Sequence, residues 1–107
     1  MLEGLLAAHR RYDELSAQLS QPDAASDIGR YRALMKEYKE LEPLSRQYLA
    51  LAAAEEALAE AKELLYSHDA ELSAMAAEQK AEAEEEITRL TEEARLMLLP
   101  HDLRDDR

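Results

Sequence analysis

Apolar residues in this chain recur at helical spacing almost from its first position. Leu2, Leu5, Leu6, Tyr12, Leu15 and Leu19 fall at intervals of three, four and seven, which predicts a helix from about Leu2 to Leu19 with one apolar stripe. Pro22 ends it, and Ser20, Gln21 and Asp23 make a polar loop. A second helix is expected to open near Ser26 or Asp27, either of which can cap it by accepting a backbone N–H. Its stripe is Tyr31, Leu34, Met35, Tyr38 and Leu41, with Ile28 at its start, and Pro43 is expected to close it. That proline then suits the first turn of a third helix, where a missing N–H costs nothing.

The third helix is expected from about Leu44 to Leu65. Leu44, Leu51, Leu58 and Leu65 stand seven apart, with Ala54 and Ala61 three residues after two of them. This is a short heptad seam of Leu and Ala, suited to close antiparallel pairing. Ser67 or Asp69 then offers a cap for a fourth helix. Its stripe of Leu72, Met75, Ala76, Gln79, Ala83, Ile87, Leu90, Ala94 and Met97 is expected to kink near Ala76 and to stop at Pro100. The pattern therefore predicts an all-α fold without a sheet, an elongated set of antiparallel hairpins or bundle of about four helices. Residues 1–99 form the helical domain. Residues 100–107, which carry no apolar pattern, are read as a linker toward an absent core, and the C-terminus as a cut end.

Composition strengthens the helical reading. The chain lacks Val, Phe, Trp and Cys, and its β-branched residues are Ile28, Ile87, Thr88 and Thr91, too few to cover a pleated surface. Leu and Ala supply most of the apolar fraction, so stability is expected from long seams rather than a deep centre. Without Cys there is neither a disulfide framework nor a thiolate metal site. No apolar run is long enough to span a membrane, and the charged opening segment does not read as a signal peptide, which points to the cytosol.

The net charge of −11 is unevenly placed. Through Ala50 the basic residues nearly balance the acidic ones; from Leu51 onward acids dominate, so phosphate is repelled there and broad nucleic-acid binding is disfavoured. Arg32, Lys36 and Lys39 occupy one face of the second helix, opposite its apolar stripe, with Arg10, Arg11 and Arg46 as potential neighbours. Such a strip suits a phosphate or an acidic partner; the plainer reading is that it balances Glu37, Glu40 and Glu42.

Other chemistry fails on inventory. His9, His68 and His101 lie in separate segments with no pair at metal-binding helical spacing. The glutamates Glu82, Glu84, Glu85, Glu86, Glu92 and Glu93 radiate around a helix rather than converging from a loop, so they read as a solvated face with like-charge repulsion. Gly4 and Gly29 stand alone inside helical stretches and make no phosphate loop. The serines lie in caps or on helices, and no Ser-His-acid set stands out. Paired carboxylates lack apolar surroundings to raise a pKa. No catalytic residue, cofactor site or metal site is expected.

Two segments nevertheless resemble a known family. GRYRALMKEYKELEPL, with Arg30, Tyr31, Arg32, Ala33, Leu34, Glu37, Tyr38 and Leu41, is similar to the second helix of the N-terminal domain of bacterial class-1 peptide chain release factors, in the branch that reads UAA and UAG. LMLLPHDLRDDR resembles that family's LLPxDPxDxRN junction through Leu98, Leu99, Pro100, Asp102, Asp105 and Arg107, with Leu103 where the family usually has proline. Between them, LLYSHDAELSAMA resembles the family's acidic loop and Met-Ala helix. The family's Gly-Gly-Gln loop and codon-reading Pro-x-Thr tripeptide are both absent. The resemblance thus implies docking and positioning against the large-subunit stalk base of the ribosome and the class-2 release factor GTPase, without codon contact or hydrolysis. The rival expectation is a free-standing helical adaptor or coiled-coil scaffold that self-associates through the Leu44–Leu65 seam.

Overall fold

The computed structural model describes residues 2–100 of the chain. They form three α-helices, α1 (Glu3–Leu19), α2 (Ile28–Leu64) and α3 (Ala70–Met97), with no strand among the described residues. The chain divides into two compact units, Leu2–Tyr48 and the residues from Leu49 onward, and α2 contributes to both.

In the first unit, α1 runs antiparallel to the opening half of α2. Leu5 and Leu15 are fully buried and Ala8 nearly so, while Tyr31, Leu34, Met35, Tyr38 and Leu41 are half-buried opposite them. The loop between them is less polar than its sequence suggests, because Ala24 is buried within it. Asp27 starts α2: its carboxylate accepts from the Arg30 N–H at 3.1 Å and its carbonyl from Tyr31 N–H at 2.9 Å. Ile28 does not join the stripe; it is 62% exposed.

The expected division at Pro43 is not observed. A single 37-residue helix passes through this proline, so three helices stand where the pattern predicts about four. An interior proline removes the hydrogen bond to the carbonyl four residues back, here Lys39, and crowds it, at a cost of about 3 kcal/mol. The packing of α1 explains why α2 continues. Tyr12 of α1 stacks on Tyr38 before the proline, and His9 stacks on Tyr48 after it. One rigid helix thus holds both sides of Pro43 in register, and tertiary contact overrides the local breaker.

The second unit pairs the closing half of α2 with α3, also antiparallel. Leu51, Ala54 and Ala61 are buried on α2, and Ala76, Ala83, Leu90 and Ala94 on α3. Leu44, in the first unit, and Leu58 and Leu65, in the second, are half-buried, so the heptad seam exists but its innermost positions are one leucine and two alanines. The turn is built as expected: Asp69 caps α3 by accepting from Glu71 N–H at 2.9 Å and Leu72 N–H at 3.3 Å. The Ser67 hydroxyl accepts from Asp69 N–H, and the Ser73 hydroxyl donates to the Leu65 carbonyl at 3.0 Å, fastening the two helices.

Two expectations about the last helix are corrected. It runs without interruption through Ala76, which is fully buried rather than poorly anchored. Leu72, Met75 and Gln79, assigned to its buried stripe, are exposed. The seam follows Ala76 and Ala83 because small side chains let the backbones approach, and that places the larger neighbours on the flank. The expected linker over residues 100–107 lies, beyond Pro100, outside the described residues.

Candidate functional site

Arg32, Lys36 and Lys39 project from α2 at intervals of four and three, which brings them onto one helical face. All three are exposed, and none has an ion-pair or hydrogen-bond partner among the described residues. Two of the three acids that were candidates to neutralise them are engaged elsewhere. Glu37 receives a two-pronged contact from Arg11, at 2.8 Å from Nε and 2.9 Å from Nη2. Glu42 receives Arg46 at 2.9 Å. Arg11 and Arg46 therefore do not extend the strip as free cations. Of the acids named as its counterweight, only Glu40 has no cation of its own.

The Arg11–Glu37 pair fixes the orientation of α1 against α2. Hydrogen bonding from Arg11 holds the Glu37 carboxyl below its ordinary pKa, and the Glu37 contact in turn raises that of Arg11. Because the carboxyl's folded value is depressed, the pair's contribution is present above the ordinary carboxylate range and fades as pH falls through the folded value. Both side chains are substantially solvated, so this is a positional device more than a large source of stability.

A polar cluster sits one turn along. The His9 Nδ1 is 2.8 Å from the Ser45 hydroxyl, its Nε2 is 3.3 Å from the Asp13 carboxylate, and its ring lies on Tyr48 with centroids 4.6 Å apart. The structure thus assembles a Ser-His-acid trio that sequence reasoning missed. Asp13 lies four residues after His9, a legible pairing, but Ser45 comes from 36 residues away and only the hairpin brings it in. Composition of the trio is not function. Ser45 is 3% exposed, on the interior side of a helix whose backbone N–H groups are committed to its own ladder, so no donors are left to stabilise an oxyanion beside it. The cluster satisfies a buried hydroxyl and an imidazole against each other. His68 is exposed in the turn, and His101 lies outside the described residues. No cluster suited to holding a metal ion occurs among the described residues.

Tyr12 and Tyr38, both half-buried, are stacked with centroids 4.3 Å apart and planes within 8°. Hydrogen bonding with Tyr38, followed by desolvation, pushes the Tyr12 phenol from 10.0 up to about 12. The folded state thus favours the neutral phenol. Its contribution is complete below pH 10 and is lost as pH rises through about 12. A tyrosinate absorbance titration is expected to show a late-ionising component that disappears in Tyr12→Phe. If every tyrosine ionises together in the native chain, the stacked pair is not formed.

These helices define a class: an all-α domain of two hairpins whose most distinctive exposed chemistry is a face of uncommitted cations. The PCRF domain model matches residues 8–107, and the chain belongs to that family. It is also similar to peptide chain release factor 1 of Alkaliphilus metalliredigens (strain QYMF), with 35% identity over 109 residues, covering all of this chain. The chain spans 30% of that relative's length. No solved structure matches it. The match includes both segments that carried the resemblance, GRYRALMKEYKELEPL and LMLLPHDLRDDR. No described helix is long and apolar enough to cross a membrane.

Proposed function

We propose that this chain acts in translation termination, as the helical docking domain of a cytoplasmic class-1 peptide chain release factor. Its part is to position the factor against the large-subunit stalk base and the class-2 release factor GTPase, leaving decoding and hydrolysis to other parts of such a factor. The observation that carries this reading is the PCRF match across residues 8–107; the similarity to peptide chain release factor 1 agrees with it. The uncommitted Arg32, Lys36 and Lys39 supply a contact suited to ribosomal RNA phosphate or an acidic protein surface.

The test uses stop-programmed ribosomes and the purified GTPase. The chain is expected to bind weakly at low salt, since one small surface supplies the affinity. Arg32→Glu with Lys36→Glu is expected to weaken that binding roughly tenfold, and added salt to weaken it further. Both side chains are exposed, so the variant's circular dichroism should match the parent's. Release of peptide by the chain alone would refute docking as its role. Absence of binding to both the stalk base and the GTPase would refute the assignment of partners.

A further inference from the structure

The hairpin of the second unit leaves one flank open, and that flank is shaped. Ala57, Leu64 and Ala83 floor a groove of about 400 Å³ between the closing half of α2 and α3, while Glu60, Glu82 and Glu86 line its rims. The spacing accounts for it. Ala57, Glu60 and Leu64 are three and four apart on α2, as are Gln79, Glu82 and Glu86 on α3, so each trio shares one helical face. Antiparallel pairing sets the two faces side by side. Met75 lies four residues before Gln79 and seven before Glu82, and therefore continues the same face one turn toward the hairpin end. Met75 is 51% exposed and Leu64 43%, large apolar side chains left in water on a flank otherwise floored by alanine.

Charge selects what can cover this groove. From Leu49 to Pro100 thirteen acidic side chains face four basic ones. Lys80, Arg89 and Arg95 are engaged with glutamates of α3 itself. Glu86 is held by Arg89, but Glu60 and Glu82 have no partner among the described residues. A second copy of this chain would bring its own Glu60 and Glu82 against the first, so like-charge repulsion opposes self-association there. An apolar floor between unpaired carboxylates instead fits a helix with leucine-like side chains on one face and cations beside it. We propose that the groove docks an amphipathic, Lys- or Arg-rich helix of a partner protein, its apolar face on Ala57, Leu64, Met75 and Ala83 and its cations on Glu60 and Glu82. This surface is separate from, and opposite in sign to, the basic strip on the first unit, and it stands without the role assigned to that strip.

The probe is a synthetic peptide of Leu and Lys arranged at heptad spacing to form an amphipathic helix. A scrambled peptide of the same composition serves as its comparison. Binding to the full chain is followed by the methyl carbon resonances of its methionines. The Met75 signal is expected to shift saturably, while Met35, in the first unit, stays in place. The scrambled peptide should bind at least about tenfold more weakly. Glu60→Lys with Glu82→Lys should reduce affinity by a similar factor, Met75→Ala should reduce it several-fold, and Arg32→Glu with Lys36→Glu should not weaken it. These positions are exposed, so folding is not at stake. Equal binding of the scrambled peptide, an unmoved Met75, or a chain dimer that dissociates on Met75→Glu would each overturn the proposal, the last by assigning the groove to a second copy.

Discussion

Leu51→Asp is expected to abolish cooperative folding of the hairpin that begins at Leu49, whereas Leu58→Asp weakens it without destroying it. The two leucines are one heptad apart and equivalent by sequence, but Leu51 is 1% exposed and Leu58 only half-buried. Truncating a buried leucine costs roughly 2–5 kcal/mol, and an unpaired carboxylate in the same space adds its desolvation. Against a typical total of about 5–15 kcal/mol, the sum at Leu51 removes most or all of the stability of a seam whose other buried members are alanines and Leu90. At Leu58 the carboxylate can reach water, so the lost apolar contact is the larger part. Thermal melts by circular dichroism check the ranking. Equal losses at the two positions would mean that the seam is not centred on Leu51, Ala54 and Ala61.

That difference marks what the sequence could and could not reveal. The all-α class was legible because a chain without Val, Phe or Trp offers few residues that favour a strand. The Asp69 cap was legible because capping is local. The stripe Tyr31, Leu34, Met35, Tyr38 was legible from spacing alone. The buried side of α3 was legible in part: Ala76, Ala83, Leu90 and Ala94 all lie on the stripe that spacing predicts, but Leu72, Met75 and Gln79, placed there too, are exposed. Hydrophobicity favours Leu72 and Met75 over Ala76, whereas close helix packing favours the small residue and moves the large ones to the flank. The Ser45–His9 contact was illegible because it spans 36 residues. The Arg32, Lys36, Lys39 strip was visible as a pattern. That Glu37 is taken by Arg11, 26 residues away, required the hairpin; Arg46 and Glu42 are four apart on α2, a local pairing.

The charge asymmetry seen along the chain acquires a physical meaning once the two units are described. The first pairs Glu37 with Arg11 and Glu42 with Arg46 and leaves Arg32, Lys36 and Lys39 outward. The second pairs three of its four cations along α3, by Lys80–Glu84, Arg89–Glu93 and Arg95–Glu92, and leaves Glu60 and Glu82 outward. The Arg32, Lys36, Lys39 face of the first unit and the Glu60, Glu82 flank of the second thus carry uncompensated charge of opposite sign. Surfaces of that kind steer association and select partners more than they stabilise the fold.

Pro43→Ala is expected to stabilise the chain, by about 2 kcal/mol. Alanine restores the N–H that the Lys39 carbonyl lacks within α2 and removes the ring that crowds it, worth about 3 kcal/mol in a helix interior. The unfolded chain regains freedom at the same time, which offsets roughly 0.4–1 kcal/mol. Pro43 is exposed, so no packed surface is lost. For a domain of this size the net gain raises the melting temperature by about 10 °C. The prediction separates two structures with opposite signs. If Pro43 opened a separate helix at its first turn, alanine would remove a residue pre-set for that position, and stability would be unchanged or lower. Within a continuous α2 it must rise, and the amides following Lys39 should exchange with solvent more slowly. A lower melting temperature for Pro43→Ala would restore the division into four helices. Binding through Arg32, Lys36 and Lys39 in the same variant then tells whether the proline serves that face: unchanged affinity would limit its effect to the stability of α2.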